Sequence, residues 1–324
     1  MKNSLAVLWG ILALVGMLVS GCAKDSTGPG DDNAPSGVTN EQSARVYYAT
    51  NDEFVQNDVV TFDDQEVAPT DYGTFGKIDA AITPLRWGRF VTRVIRTVTD
   101  TIQPGDTIAF VHVHKVIDGI FKIRGINGAG DTVLVEKTFT DNSDRNIIFK
   151  RVGRETRRFW LNWVPVATSL VDGGTIPPNN SIDITKVEMF LPNGDTITVT
   201  DPLNYYLRYR WMPMFHGGRK DLPQLDPASR VVVQATVVSA SPDTDLVALR
   251  YGVGTFQKRR FRMQLISEVN NGNGTYTRVY QGPFFVHFHR GFFHAGVDAI
   301  TRGTLFDDAT PYSASWWGIP YRVF

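Results

Sequence analysis

Apolar and polar residues alternate with a period of two over most of the chain beyond residue 45, which predicts β-strands. Two β-branched runs, Val91–Ile102 and Thr107–Ile117, flank Gln103-Pro104-Gly105-Asp106, whose central Pro-Gly pair is typical of a type II turn. Together these segments predict a β-hairpin. Only Gln42–Val60 is a candidate for a short helix outside the N-terminal leader.

Short strand candidates also follow one another at 8–12-residue spacing from Arg230 onward, separated by turns rich in Gly, Asn and Pro. This spacing is typical of a β-sandwich. The further strand candidates along the chain are Ile120–Ile126, Thr132–Thr140, Asn146–Arg151, Arg158–Pro165, Ile182–Phe190, Asp195–Thr200, Val231–Ser239, Leu246–Tyr251, Lys258–Ile266, Tyr276–Tyr280, Phe284–His289 and Phe293–Ile300.

An irregular segment, 202–229, interrupts the strand pattern with four prolines and the pair Gly217-Gly218. Its aromatic residues are too many for a free linker, so we expect a packed connection between two domains. Those aromatic residues are Tyr205, Tyr206, Tyr209 and Trp211.

The N-terminus has the pattern of a secretory leader: Lys2 is followed by an apolar run, Leu5–Val19, of about 15 residues. The run ends in Val19-Ser20-Gly21-Cys22, which resembles the lipobox of bacterial lipoprotein signal peptides. The resemblance implies cleavage before Cys22, a diacylglyceryl group on its sulfur and a further acyl chain such as palmitate on the new amine. The protein is then expected in the bacterial cell envelope, lipid-anchored to the outer membrane and facing the periplasm or the cell surface.

The second strand-rich region resembles the immunoglobulin-like and fibronectin-III-like modules of bacterial surface proteins over about residues 230–305. The resemblance rests on a Gly-x-Tyr hairpin, a Pro-containing turn and a strand that ends in Val-x-Ala. These features are Gly272-Asn273-Gly274-Thr275-Tyr276-Thr277, Gly282-Pro283 and Gly296-Val297-Asp298-Ala299, between Met263 and Gly303. The tail Pro311–Tyr321 departs from the pattern, and the first strand-rich region resembles no named family.

These observations predict an all-β protein with two β-sandwich, immunoglobulin-like domains after a lipoprotein signal peptide and a disordered tether. The tether is expected to be disordered because it has almost no large apolar side chains. The predicted boundaries are 1–21 for the signal peptide, 22–44 for the lipidated tether, 45–201 for the N-terminal β domain, 202–229 for the connection and 230–324 for the C-terminal sandwich.

Charge, cysteine content and the absence of catalytic motifs exclude several classes of function. The chain carries 33 basic and 33 acidic residues, and this zero net charge argues against nucleic acid as a partner. Cys22 is the only cysteine, so an intramolecular disulfide is excluded. The sequence has no Gly-x-Ser-x-Gly, His-Glu-x-x-His or phosphate-loop motif. We therefore expect a non-enzymatic envelope lipoprotein without a cofactor, held at the membrane through Cys22 and binding or scaffolding an envelope protein or a glycan.

Two His-x-His pairs, His112/His114 and His287/His289, suggest an alternative, because residues i and i+2 of a strand lie about 6.6 Å apart on one face and can share a divalent metal ion. The second pair, followed by His294, is the main metal candidate. It departs from the cupin pattern because no glutamate follows His289 at the required spacing. Half-buried packing of these histidines is the competing interpretation.

Aromatic residues near the C-terminus suggest a third possibility, a glycan-binding module. Trp316 and Trp317, with Tyr312 and Tyr321, could stack on sugar rings. Neighbouring residues on a strand point to opposite faces, so we expect one tryptophan to anchor the core and the other to lie nearer the surface.

Overall fold

The structure, a computed structural model, describes residues 40–51, 81–102, 107–152, 162–208, 223–252 and 259–323. The described residues all belong to one compact unit, Gly37–Phe324, built from two β-sheets and two short α-helices. The prediction of an all-β fold is confirmed. The leader, Cys22 and the tether as far as residue 39 lie outside the described residues, and no helix within those residues is long and apolar enough to span a bilayer.

The helices are α1 (Glu41–Asn51) and α2 (Arg302–Phe306), and a 3-10 helix spans Pro202–Asn204. The strands are β1 (Ile82–Thr101), β2 (Ile108–Asn127), β3 (Thr132–Arg151), β4 (Trp163–Ser169), β5 (Val171–Thr175), β6 (Ile182–Phe190), β7 (Thr196–Val199), β8 (Tyr206–Arg208), β9 (Gln224–Leu225), β10 (Arg230–Ser239), β11 (Leu246–Gly252), β12 (Arg259–Arg262), β13 (Gln264–Asn270), β14 (Tyr276–Phe285), β15 (Gly291–Ile300) and β16 (Ala314–Val323).

The larger sheet has 11 strands, with the main order β1-β2-β3-β5-β16-β15-β11-β12. Its first three strands are 20 residues long and antiparallel. The predicted hairpin is confirmed by the pairing of β1 with β2, which reaches Thr101 opposite Phe110. The turn residues 103–106 lie outside the described part.

The smaller sheet has five strands in the order β13-β14-β10-β6-β7. Apolar side chains from both sheets form the main core, including Val187 of β6, Val233 of β10, Tyr280 of β14 and Val297 of β15. The two sheets therefore pack face to face across this core. Strand β16 is almost entirely buried because its second face lies against another core.

That second core lies on the opposite face of the larger sheet, between β1–β3 and β11, β15 and β16, so the larger sheet curls over itself. A buried polar network crosses this space. Arg89 of β1 donates two hydrogen bonds to Asp298 of β15, at 2.9 and 2.8 Å, and one to Tyr312 Oη at 2.6 Å. The Tyr312 hydroxyl donates to Asp141 of β3 at 3.1 Å, and Thr175 donates to the same carboxylate at 3.0 Å. The charges are paired and hydrogen-bonded, as buried charges require.

The predicted division into domains 45–201 and 230–324 is corrected by the strand pairing. Strand β10 pairs with β6, and β16 pairs with β5, so both sheets combine strands from the two predicted domains. The predicted count of two separate sandwiches is therefore not supported. The connection 202–229 is packed where it is described: β8 pairs with β4, β9 pairs with β16, and Tyr205 and Tyr206 are half-buried. Tyr209 and Trp211 lie outside the described residues.

Several predicted boundaries also differ from the structure. Segments 120–126 and 107–117 form one strand, β2, and segments 132–140 and 146–151 form β3. The single predicted strand 258–266 is divided between β12 and β13, which belong to different sheets. Helix α1 begins at Glu41, within the range predicted as tether, because Asn40 caps it by accepting a hydrogen bond from the Ser43 N–H at 2.8 Å.

Candidate functional site: a His-Asp-His cluster on the larger sheet

The candidate site is formed on the outward face of β2 and β3. Odd-numbered residues of these strands, such as Val111, Val113 and Ile147, are buried in a small third core beneath α1. Because side chains alternate along a strand, His112 and His114 point to the opposite face and are partly exposed. The alternation of apolar residues and histidines in the sequence of β2 thus places both imidazoles on the accessible side of the sheet.

Strand register supplies a carboxylate to this histidine pair. In the β2–β3 ladder His114 is opposite Asp144, and His112 is opposite Asn146. Asp144 Oδ1 lies 2.9 Å from His112 Nε2 and 2.8 Å from His114 Nδ1. The imidazole rings are stacked with centroids 6.5 Å apart and an interplanar angle of 18°. One carboxylate oxygen is therefore shared by two histidine nitrogens.

Two asparagines on β3 hold the cluster from outside. Asn142 Nδ2 donates a long hydrogen bond to Asp144 Oδ2 at 3.3 Å, which leaves Oδ1 for the histidines. Asn146 Oδ1 lies 2.8 Å from His112 Nδ1. The Asn146 side chain is fixed in turn, because its Nδ2 donates to the Leu203 carbonyl oxygen at 3.1 Å. His112 Nδ1 and Asp144 Oδ2, which face away from the shared oxygen, thus each have a neighbour that orients them.

The cluster has the donor set and spacing of a metal site. In the described part of the chain, His112, His114 and Asp144 are the group of His, Cys, Asp or Glu side chains whose ligand atoms all lie within 4.8 Å of one another. Their side chains are 40%, 36% and 16% exposed, so an ion can reach them from solvent. Two imidazole nitrogens and one carboxylate oxygen can coordinate zinc or a neighbouring transition metal and leave further positions for water.

The surroundings are acidic. Asp172 of β5 is opposite Asp144 in the sheet. Burial, with smaller contributions from the carboxylates of Asp183, Asp144 and Asp201, raises the pKa of Asp172 to about 6. When it is ionised, Asp172 adds negative charge beside Asp144, which favours a cation at the cluster.

The main metal candidate, His287/His289/His294, is not assembled. The His287 ring stacks on Phe293 with centroids 4.5 Å apart, on the face of β15 that belongs to the main core. His294 is the next residue and therefore lies on the opposite face of the sheet, where it is buried. His289 is exposed in the loop between β14 and β15. The prediction of a metal site at these three residues is corrected, because a strand alternates its side chains.

The proposed sugar-stacking platform is not formed either. Trp316 is 0% exposed in the second core, and Trp317 is 3% exposed in the main core. Their opposite orientation was expected, but both are buried because β16 is covered on both faces. Tyr312 and Tyr321 are buried as well. These four aromatic residues hold the sheets together and offer no surface to a glycan.

Sequence reasoning identified His112 and His114 as a possible ligand pair but missed Asp144 and Asn146. The available signal was the polar run Asp141–Asn146, which separates two apolar segments. The predicted strands Thr132–Thr140 and Asn146–Arg151 leave most of this run between them, whereas β3 continues through it with alternate residues on opposite faces.

Comparison of the whole chain with models of protein families, with curated proteins and with solved structures finds no match.

Proposed function

We propose that this chain is a lipid-anchored protein of the bacterial cell envelope that binds a divalent transition-metal ion through His112, His114 and Asp144, in a binding role and not as an enzyme. The observation that carries the metal proposal is the convergence of two imidazole nitrogens on one carboxylate oxygen at 2.9 and 2.8 Å.

The distances suit coordination. Ligand atoms about 2.1 Å from one ion, at angles between 90° and 109°, lie roughly 3.0–3.4 Å apart. The two nitrogen–oxygen distances are slightly shorter, so a small outward rotation of the side chains admits an ion between them. The side chains are partly exposed and have room for that movement.

The donor types favour zinc, copper or nickel over calcium or magnesium. Calcium and magnesium prefer sets made of oxygen atoms, whereas imidazole nitrogens favour the later transition metals. Asp172, opposite Asp144 in the sheet, supplies negative charge without changing this preference, since it does not replace the nitrogens of the cluster.

The position of the cluster supports a binding role. It lies on an open sheet face, where the histidine side chains are more than a third exposed. Active sites that use a metal for hydrolysis or oxidation are usually enclosed in clefts that exclude bulk water. Surface exposure is better suited to holding, delivering or sensing an ion.

Isothermal titration of the metal-free protein with zinc chloride tests the metal proposal. We expect one ion per chain in the wild type and no measurable binding in His112→Ala/His114→Ala. The matched control is His287→Ala/His289→Ala, which removes the other His-x-His pair and should bind zinc as the wild type does. Equal binding by all three proteins, or loss only in the control, contradicts the proposal.

The anchoring proposal rests on Cys22 and its lipobox-like context. The described residues begin at Asn40, directly before α1, in which Glu41 accepts a hydrogen bond from Trp163 Nε1 at 2.7 Å and Arg45 pairs with Asp100 at 2.6 Å. These contacts attach α1, which follows the segment that would lead to the membrane, to the larger sheet. Cys22→Ser should give an unprocessed, unlipidated precursor. A processed protein that still fractionates with membranes contradicts this proposal.

A further inference from the structure

We infer that Asn146 is the positioning residue of the cluster: it fixes the tautomer of His112 so that Nε2 is the nitrogen that ligates the metal ion. This inference rests on the proposed metal-binding function and deepens it, because it identifies which nitrogen binds and what orients it.

The orientation of the Asn146 amide is determined by Leu203. A backbone carbonyl oxygen can only accept a hydrogen bond, so the Asn146 atom 3.1 Å from it is the Nδ2 amide, which donates. The other atom of the amide, Oδ1, must then face His112 Nδ1 at 2.8 Å. Backbone contacts keep the residue in place, since the Asn146 N–H donates to Ser169 Oγ at 2.8 Å.

The tautomer of His112 follows from this orientation. An amide oxygen only accepts, so His112 Nδ1 carries the hydrogen and donates it to Asn146 Oδ1. Asp144 Oδ1, 2.9 Å from Nε2, also only accepts hydrogen bonds, so the Nε2 lone pair faces it only when a metal ion lies between the two atoms. Because Nδ1 keeps its hydrogen, the lone pair that binds such an ion is on Nε2. The ring is therefore held with its ligating nitrogen toward the place where the carboxylate and His114 converge.

Asn142 provides an internal comparison. It lies on the same face of β3, and its amide contacts Asp144 Oδ2 and not a histidine. Replacing Asn142 or Asn146 by alanine removes one amide beside the cluster in each case, but only Asn146→Ala removes the acceptor for His112 Nδ1.

The experiment is zinc titration of the full chain, followed by nitrogen-15 NMR of the imidazole groups in the zinc-loaded samples. In the zinc-loaded wild type and Asn142→Ala we expect the His112 ring shifts of an imidazole with its hydrogen on Nδ1 and the metal ion on Nε2. In Asn146→Ala we expect a mixture of tautomers and a zinc affinity lower by about 10- to 100-fold, the usual range for loss of a partner that orients a ligand. Asn146→Asp keeps an acceptor for Nδ1 and should retain most of the affinity.

The outcomes separate the two proposals. If the wild type binds zinc and Asn146→Ala changes neither the His112 tautomer nor the affinity, the role of Asn146 is wrong and the metal site stands. If the wild type does not bind zinc, the proposed function fails, and with it the ligand role of Nε2. A zinc-loaded wild type with the hydrogen on His112 Nε2 and the metal ion on Nδ1 overturns the inference.

Discussion

The chain contains the same short motif twice, and the two copies have different surroundings. His112 and His114 lie on β2 with both rings on the outward face, and β3 places Asp144 between them. His287 and His289 lie in the loop that follows β14, where His287 packs on Phe293 and His289 is exposed. A His-x-His pair becomes a candidate metal site only when the neighbouring strand supplies a third ligand in register.

Spacing along the sequence does not identify which histidines converge in the folded chain. His294 follows the second pair closely in sequence, yet it lies on the opposite face of the sheet from Phe293, the stacking partner of His287. Asp144 is 30 residues from His114 and lies within 2.8 Å of it. The distance along the chain is a poor measure of convergence in an antiparallel sheet, because register decides which residues meet.

The largest expected effect is that of removing the carboxylate that distinguishes the two pairs. Asp144→Ala should raise the Kd for zinc by at least about 100-fold, because it removes the one oxygen that both histidines contact. The matched control is Glu136→Ala, which removes an exposed carboxylate from the same face of β3, where it pairs with Lys122 at 2.8 Å. Equal affinity in the two variants, measured by isothermal titration, would mean that the first pair is no more a metal site than the second.

A smaller effect, on stability and not on zinc binding, is expected from substitutions in the second pair, His287/His289. His287→Ala should lower the free energy of unfolding by about 1 kcal/mol, because it removes the stacked contact with Phe293. It should leave zinc binding unchanged. His289→Ala, at an exposed position, should change stability by less than about 0.5 kcal/mol. Urea unfolding of both variants measures this difference, and a larger loss in His289→Ala would contradict the packing role of His287.

The smallest effect concerns the acidic surroundings of the first pair. The pKa of Asp172 is raised to about 6 in the folded protein, above its ordinary value of 3.8, mainly by burial. The folded state therefore holds the proton more tightly than the unfolded state. The wild type loses stability as the pH rises from about 4 to 6.

Asp172→Asn should remove this loss. At pH 7 the variant should be more stable than the wild type by about 1 kcal/mol, a figure reduced for partial exposure, and near pH 3.5 the two should be equal. Its zinc affinity should fall only a few-fold, because a neighbouring charge is lost but no ligand is. Urea unfolding midpoints of both proteins, measured across this pH range, test the sign of the stability difference. If the variant's stability relative to the wild type were lower at pH 7 than at pH 3.5, the prediction would be contradicted.

Much of the fold could be predicted from the sequence where local signals agree with the tertiary structure. The strand β6 matches its predicted range, Ile182–Phe190, because alternation is clean and a Pro-Asn-Gly turn follows it. In β3 the signals disagree: Asp141 looks like a turn residue but is buried, with hydrogen bonds from Thr175 and Tyr312. Those partners come from distant parts of the chain, so no local pattern reports them.

The same reason explains the wrong domain boundary. Prolines and glycines correctly indicated an irregular segment at 202–229, but they say nothing about which strands pair across it. The pairing of β10 with β6 and of β16 with β5 joins the two sides. Similarly, Trp316 and Trp317 are both buried because β16 is covered on its two faces, which the local sequence does not indicate. The sequence predicts only that two neighbouring strand residues point in opposite directions.

We propose that the first His-x-His pair, and not the second, binds a metal ion. A crystal structure of the zinc-soaked protein, with the ion located by its anomalous scattering, tests this difference most directly. We predict zinc within about 2.0–2.2 Å of His112 Nε2, His114 Nδ1 and an oxygen of Asp144. A zinc ion bound at His287, His289 or His294 instead would contradict this prediction. So would crystals soaked in excess zinc in which no ion is bound to His112 and His114.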